Sequence, residues 1–285
     1  MGYPTIDAPY GYKPVNLIGG QVFAGSTRMY PISYGYAVNL FYGDPVTIQT
    51  TSSGAAVAGT VVTQASAVST TNTVVGIFLG CSFTNPITKQ KQFSQYWPSG
   101  TLAGDAVAYV SDDPDAVFKA AACTAAGTAT VASISALLVG QNVAGTTLTT
   151  SGSTASGNGV SGVVAASANA SGGGFRVLEI VVDTQIETPC VYVSGATTTS
   201  LVVSGLAVGQ VIPVGTDVYQ LVSGQLQHIG SATTTSPVTV TTTGSTTLTV
   251  VASTVTPAAS AQLVLVQNPE VLVKINFSAH RYYVA

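Results

Sequence analysis

The chain has little charge. Only 7% of its 285 residues are Asp, Glu, Lys or Arg, against about 25% in ordinary soluble proteins. No charged residue lies between Asp44 and Lys89 or between Lys119 and Arg176, and only Asp217 lies between Glu187 and Glu270. The eight Lys and Arg are scattered and the net charge is −3, so no basic patch is offered to nucleic acid. Histidine is equally scarce. His228 and His280 have no second His or Cys at ligand spacing, which argues against a zinc site. No G-x-S-x-G elbow is present to support a nucleophile, so neither an enzyme nor a cofactor is expected. Long apolar runs are missing too: "VVGIFLG" (74–80) and "LVLV" (263–266) are strand-sized, and no membrane partner follows. The first residues lack the basic and apolar regions of a signal peptide, so synthesis in a cytosol is expected. Three cysteines, Cys81, Cys123 and Cys190, are an odd number without metal-type spacing and read as buried free thiols.

Helix signals are nearly absent, and "VASISALLVG" (131–140) is the best short candidate. What fills the chain instead is Val, Ile, Thr and Tyr in short runs cut by Gly, Pro, Asn and Ser. That pattern predicts an all-β protein, a barrel or sandwich. Two segments alternate. In "FRVLEIVVD" (175–183), Arg176, Leu178, Ile180 and Val182 share a face; in "VLVKINF" (271–277), Val271, Val273, Ile275 and Phe277 do. If these strands are neighbours, the charge-poor Thr/Ser/Val/Gly stretch 188–269 is an inserted peripheral β module, and 270–285 returns to the core. The Ala/Thr/Ser/Gly stretch 120–174, with an Asn158–Gly159 turn, reads as a second insertion in a β-barrel core spanning 35–187.

Residues 1–34 read as an extended N-terminal arm. Pro4, Pro9 and Pro14 exclude a helix, and seven of the 13 tyrosines fall within residues 1–42. Ordering such an arm costs about 1–2 kcal/mol per residue, which proline lowers. Its tyrosines supply contact area with few rotatable bonds. The expected contact residues are Tyr3, Pro4, Pro9, Tyr10, Tyr12, Lys13, Pro14, Phe23, Arg28 and Tyr30. The arm either clamps a neighbouring subunit or covers its own barrel; the clamp is preferred. In "FSQYWPSGT" (93–101), Phe93, Tyr96 and Trp97 are either a contact loop or an aromatic lid packed on the barrel. In "SDDPDAVF" (111–118), Asp112, Asp113 and Asp115 could offer oxygens to a hard cation, but Asp before Pro114 is also an ordinary turn, and the turn is preferred.

The opening "APYGYKPVNLIGGQVFAGSTRMYPIS" (8–33) and "FYGDPV" (41–46) are followed by "VGIFLGCSFTNP" (75–86), "FSQYWPSGT", "AYVSDDPDAVF" (108–118), "FRVLEIV" (175–181) and "VLVKINFSAHRYY" (271–283). In this order they resemble a family of small β-barrel head proteins of tailed phages, the capsid decoration or cement proteins, met in cyanophages among others. The resemblance covers about 1–119, 175–187 and 270–285. It implies a virion structural protein on the outer capsid surface, binding the major capsid protein as a homotrimer and stabilising the shell. The alternative is a tail or surface adhesin that recognises a host glycan through 188–269.

Overall fold

Runs of Val, Ile, Thr and Tyr suit the pleated, half-buried environment of a sheet, and the chain uses them almost everywhere. A computed structural model describes residues 6, 8–63, 68, 73–124, 130–146, 152–168, 173–197, 200–232, 237–241, 244–251, 255 and 257–282. Among them the strands are β1 (Lys13–Leu17), β2 (Arg28–Pro31), β3 (Pro45–Ile48), β4 (Val61–Thr63), β5 (Gly76–Thr84), β6 (Lys91–Ser94), β7 (Val107–Ser111), β8 (Ala116–Cys123), β9 (Asn142–Thr146), β10 (Gly162–Ala168), β11 (Phe175–Ile180), β12 (Ile186–Thr197), β13 (Ser200–Ser204), β14 (Val211–Ile212), β15 (Asp217–Val222), β16 (Gln225–Ala232), β17 (Val238–Thr239), β18 (Thr246–Val251), β19 (Gln262–Gln267) and β20 (Glu270–Ile275). The fold is all-β, as the composition predicts. The helix candidate at 131–140 shrinks to one 3-10 turn, Ala136–Leu138, capped by Ser135.

Among the described residues the strands form three large assemblies, and β14 pairs with β17 as a separate two-stranded ribbon. The N-terminal sheet has the order β2-β7-β5-β3-β4, with β6 beside β5. Its inner face buries Tyr30, Phe78, Cys81, Phe83, Ala108 and Val110 against Leu40 and Trp97. In the second assembly β8 pairs with β10 and β20, β10 with β9, β9 with β11, and β11 with β20, which closes a ring of five strands. β1 joins β8 on the edge that β10 occupies further along. This first barrel encloses Phe118, Val143, Val163, Phe175, Val177, Val271, Val273 and Ile275. The second barrel, β12-β13-β18-β16-β15-β19, is also closed and has its own core of Leu201, Val203, Val218, Ile229, Leu248 and Leu265.

β11 and β20 are antiparallel neighbours, with Arg176 opposite Lys274. The second barrel therefore departs and returns between two adjacent staves of the first. Val271, Val273 and Ile275 face the core as the alternation predicts. The expected face of β11 is corrected: Phe175 and Val177 are buried and Arg176 is exposed. A bulge between Val177 and Glu179 shifts the alternation by one residue, so that Ile180 again packs on the core.

Two other expectations are corrected. Residues 35–187 are not one barrel core, because β2–β7 form a separate sheet with a separate core. Nor is 120–174 a peripheral insertion, because β9 and β10 are staves of the first barrel and Val143 and Val163 are fully buried. Its small residues are needed where the barrel is tightest. The rings of Tyr12 and Phe175 stack at 4.4 Å and 8° inside it. A Cβ on Gly145 would lie 2.3 Å from Phe175 and 2.6 Å from the Tyr12 hydroxyl. A Cβ on Gly162 would lie 2.7 Å from the Ala121 carbonyl.

Gly145→Ala is expected to destabilise the protein by about 1–3 kcal/mol through overpacking. Gly104→Ala, where a Cβ meets nothing within 4 Å, should stay within about 0.5 kcal/mol of wild type. Denaturant unfolding of the two variants side by side tests this.

Candidate interaction face

A sheet with one face on a core leaves the other for solvent, and that face is normally polar. On the N-terminal sheet it is not. Met29 lies opposite Tyr109, and Tyr109 opposite Gly80. The next row runs Pro31, Val107, Ser82, Phe93. Directly opposed residues share a face, so Met29, Pro31, Val107, Tyr109 and Phe93 line one surface across β2, β7, β5 and β6. Met29 is 67% exposed and Phe93 77%. Between these side chains Gly80 and Ser82 are buried, and the Tyr109 hydroxyl donates to Ser82 Oγ (3.0 Å). Beyond β6 the turn 85–90 presents Ile87, 88% exposed. It is held by Asn85, whose Oδ1 accepts from the Ile87 and Thr88 amides (2.9 and 3.1 Å). Lys91 pairs with Asp105 at the foot of the hairpin (2.9 Å), where Thr84 also donates to Asp105. An exposed apolar surface on a sheet is suited to docking on another protein.

Of the three expected contact-loop aromatics, only Phe93 lies here. Trp97 is fully buried, meets Phe83 edge-on at 5.4 Å and donates its ring N–H to the Tyr36 carbonyl (3.2 Å). Tyr96 stacks on Phe41. The segment is mostly the packed lid of the alternative reading, because an indole this large stabilises the core most when wholly covered.

The arm reading is corrected from residue 9 onward. Tyr3 and Pro4 lie outside the described residues. Pro9 is buried, and Lys13 and Pro14 belong to β1. Tyr12 is fully buried and its hydroxyl donates to the Gly162 carbonyl (2.6 Å). The Tyr10 hydroxyl donates to Glu270, a nearly buried carboxylate that also pairs with Lys119 (3.2 Å). The Lys13 ammonium sits 4.3 Å from the centre of the Tyr10 ring. Burial and the Glu270 charge push the Tyr10 pKa far up, so it stays a donor. Phe23 is half-buried in an exposed loop. Arg28 and Tyr30 bind the other end of the chain. Asp112 Oδ2 accepts from Arg28 Nε (3.1 Å), from the Tyr30 hydroxyl (2.8 Å) and from the Tyr282 hydroxyl. Segment 277–282 is fastened beside Val74, which donates to the Ala279 carbonyl and accepts from the Arg281 amide.

The three aspartates behave as the turn reading expects. Asp113 Oδ1 accepts from the Asp115 amide (2.8 Å), Asp112 serves the tyrosine cluster, and Asp115 faces Lys274 at 3.8 Å. Their carboxylates diverge, and among the described residues no group of three His, Cys, Asp or Glu is placed to hold a metal ion.

Asp217 was not singled out from the sequence. It is fully buried and accepts from the Ala136 amide (2.8 Å) and from Ser231 Oγ (2.7 Å), with His228 Nε2 at 3.2 Å. Ser, His and Asp are together, yet serine and histidine both bind the carboxylate rather than each other. No base is aligned to activate a nucleophile. The cluster anchors the second barrel to the 133–136 segment, where the Ser133 amide donates to the Val214 carbonyl and the Asn268 side-chain amide donates to the Ile134 carbonyl. A groove of about 280 Å³ beside it is lined by Ile6, Val131, Ile186, Val211 and Pro213, with Gln267 as its one polar side chain. A binding site for a polar small molecule needs several converging polar groups. Burial pushes the Cys81 and Cys190 thiols up to about 12. They are buried and outside any disulfide, as is Cys123, whose Sγ donates to the Val163 carbonyl (3.3 Å).

Comparison of the chain with family models, with curated proteins and with solved structures finds no match in any of the three.

Trp97→Ala should cost about 3–5 kcal/mol, whereas Phe93→Ala should change stability by no more than about 0.5 kcal/mol. Thermal unfolding separates the core aromatic from the surface one.

Proposed function

We propose that this chain is a non-catalytic structural protein that docks through the outer face of its N-terminal sheet onto a protein lattice, as a head decoration protein of a tailed phage. The observation that carries the reading is the apolar surface of Met29, Tyr109 and Phe93 on a sheet whose other face is already packed. The segments that resemble the phage head family include the strands that build this sheet. The partner is then the major capsid protein, the place is the outside of the capsid, and the homotrimer is an expectation from the same resemblance. Sparse, scattered charge suits a protein that must bind one surface and no nucleic acid.

Deleting residues 1–34 is a poor test, since it removes β1, β2 and the Tyr12 ring from the fold. Surface substitutions are better. Wild type should sediment with expanded, DNA-free heads of its phage. Met29→Asp/Phe93→Asp should bind at least about tenfold more weakly with an unchanged unfolding midpoint. Full occupancy by the double variant would remove the sheet face from the account. Failure of wild type to bind would remove the decoration reading and direct attention to the second barrel and host glycans.

A further inference from the structure

The N-terminal sheet and the first barrel meet along a seam of three woven segments, 9–12, 41–44 and 152–161. The Tyr42 amide donates to the Gly157 carbonyl (2.9 Å) and the Gly159 amide to the Tyr42 carbonyl (2.9 Å). The Tyr12 amide donates to the Gly43 carbonyl (2.9 Å) and the Gly11 amide to the Ser161 carbonyl (3.0 Å). Contact is too close for side chains. A Cβ on Gly43, at φ 89°, would lie 2.7 Å from Gly11 Cα, and one on Gly159 would lie 2.4 Å from Asp44 Oδ1. At the centre is the Asp44 carboxyl, 2% exposed. Oδ1 accepts from Ser161 Oγ (2.6 Å) on the barrel side, and Oδ2 from the Phe41 amide (3.0 Å) on its own loop.

We propose that Asp44 is a proton-controlled fastener of this seam, which closes tightly when the carboxyl is neutral and loosens when it ionises. Both of its donors are neutral. No Asp, Glu, Lys, Arg or His occurs in 8–12, 40–43, 76–79 or 152–162, the segments packed around it. The titratable groups there are the Tyr10, Tyr12 and Tyr42 hydroxyls, each kept protonated by burial. An ionised carboxylate therefore has no opposite charge to offset its lost hydration. Burial accordingly raises the Asp44 pKa to about 7. The sign follows from linkage. With the folded value above that of a solvated carboxyl, the closed seam binds more protons than the open one. Its stability is greatest in acid and declines as pH rises towards about 7.

Amide hydrogen exchange of the full chain, corrected for intrinsic rates, reads the opening directly. In wild type, opening at 41–44 and 157–161 should rise by up to about tenfold per pH unit between pH 5 and 7 and level off above. Asp44→Asn, whose amide imitates the neutral acid, should show no such rise. Ser161→Ala, which removes a hydrogen bond that lowers the Asp44 pKa, should move the plateau to higher pH and serves if Asp44→Asn does not fold. A flat wild-type profile, an equal slope in Asp44→Asn or an unmoved plateau in Ser161→Ala would overturn the proposal.

Discussion

The Tyr12 ring stacked on Phe175 inside the first barrel is the contact on which the rest of the structure depends. A five-stranded barrel has a narrow interior, and two aromatic rings fill much of it. The backbone that passes the stack at residue 145 does so without a side chain, because a Cβ on Gly145 would meet the Phe175 ring and the Tyr12 hydroxyl. One ring comes from β11 and the other from the segment before β1, so closing the barrel ties the start of the chain to its middle. β20, the last strand, then closes the ring between β8 and β11. Tyr12 and β20, near the two ends of the described residues, are therefore both held in the first barrel.

Scarce charge has a structural counterpart. The three buried carboxylates among the described residues stand at joints: Glu270 holds Tyr10 and Lys119, Asp217 holds the 133–136 segment against the second barrel, and Asp44 holds the sheet against the first. A buried acid must be matched by donors or remain neutral. Asp217 is matched, Glu270 has a lysine, and Asp44 has only neutral donors. Most other charged side chains are spread thinly over a surface in which Ser and Thr are abundant, and the outer face of the N-terminal sheet is openly apolar.

The all-β class was legible because Val, Ile, Thr and Tyr recur in short runs cut by turn residues and helix formers are few. The partnership of β11 and β20 was legible because both strands alternate and both lie beside charge-poor stretches. The role of 120–174 was hidden: Ala, Ser and Gly look alike in a loose insertion and in a crowded barrel, and only the position of Phe175 tells them apart. Tyr12 misled in the same way. A tyrosine among prolines reads as a sticky arm, while its burial depends on a partner more than 160 residues away in the chain. Trp97 belonged to a segment with two readings, and packing against Phe83 decided it. Phe93 is visible as a surface residue only once β6 is known to be paired on Ser82 rather than covered.

Hydroxyl-radical footprinting of the free protein and of the protein bound to empty phage heads tests the central claim most directly, because Met, Phe and Tyr side chains report their own exposure. The account predicts that oxidation of Met29, Phe93 and Tyr109 falls on binding while Leu221 and Leu226 of the second barrel, both exposed in the free chain, are unchanged. Protection of Leu221 and Leu226 with Met29 and Phe93 unaffected would contradict it.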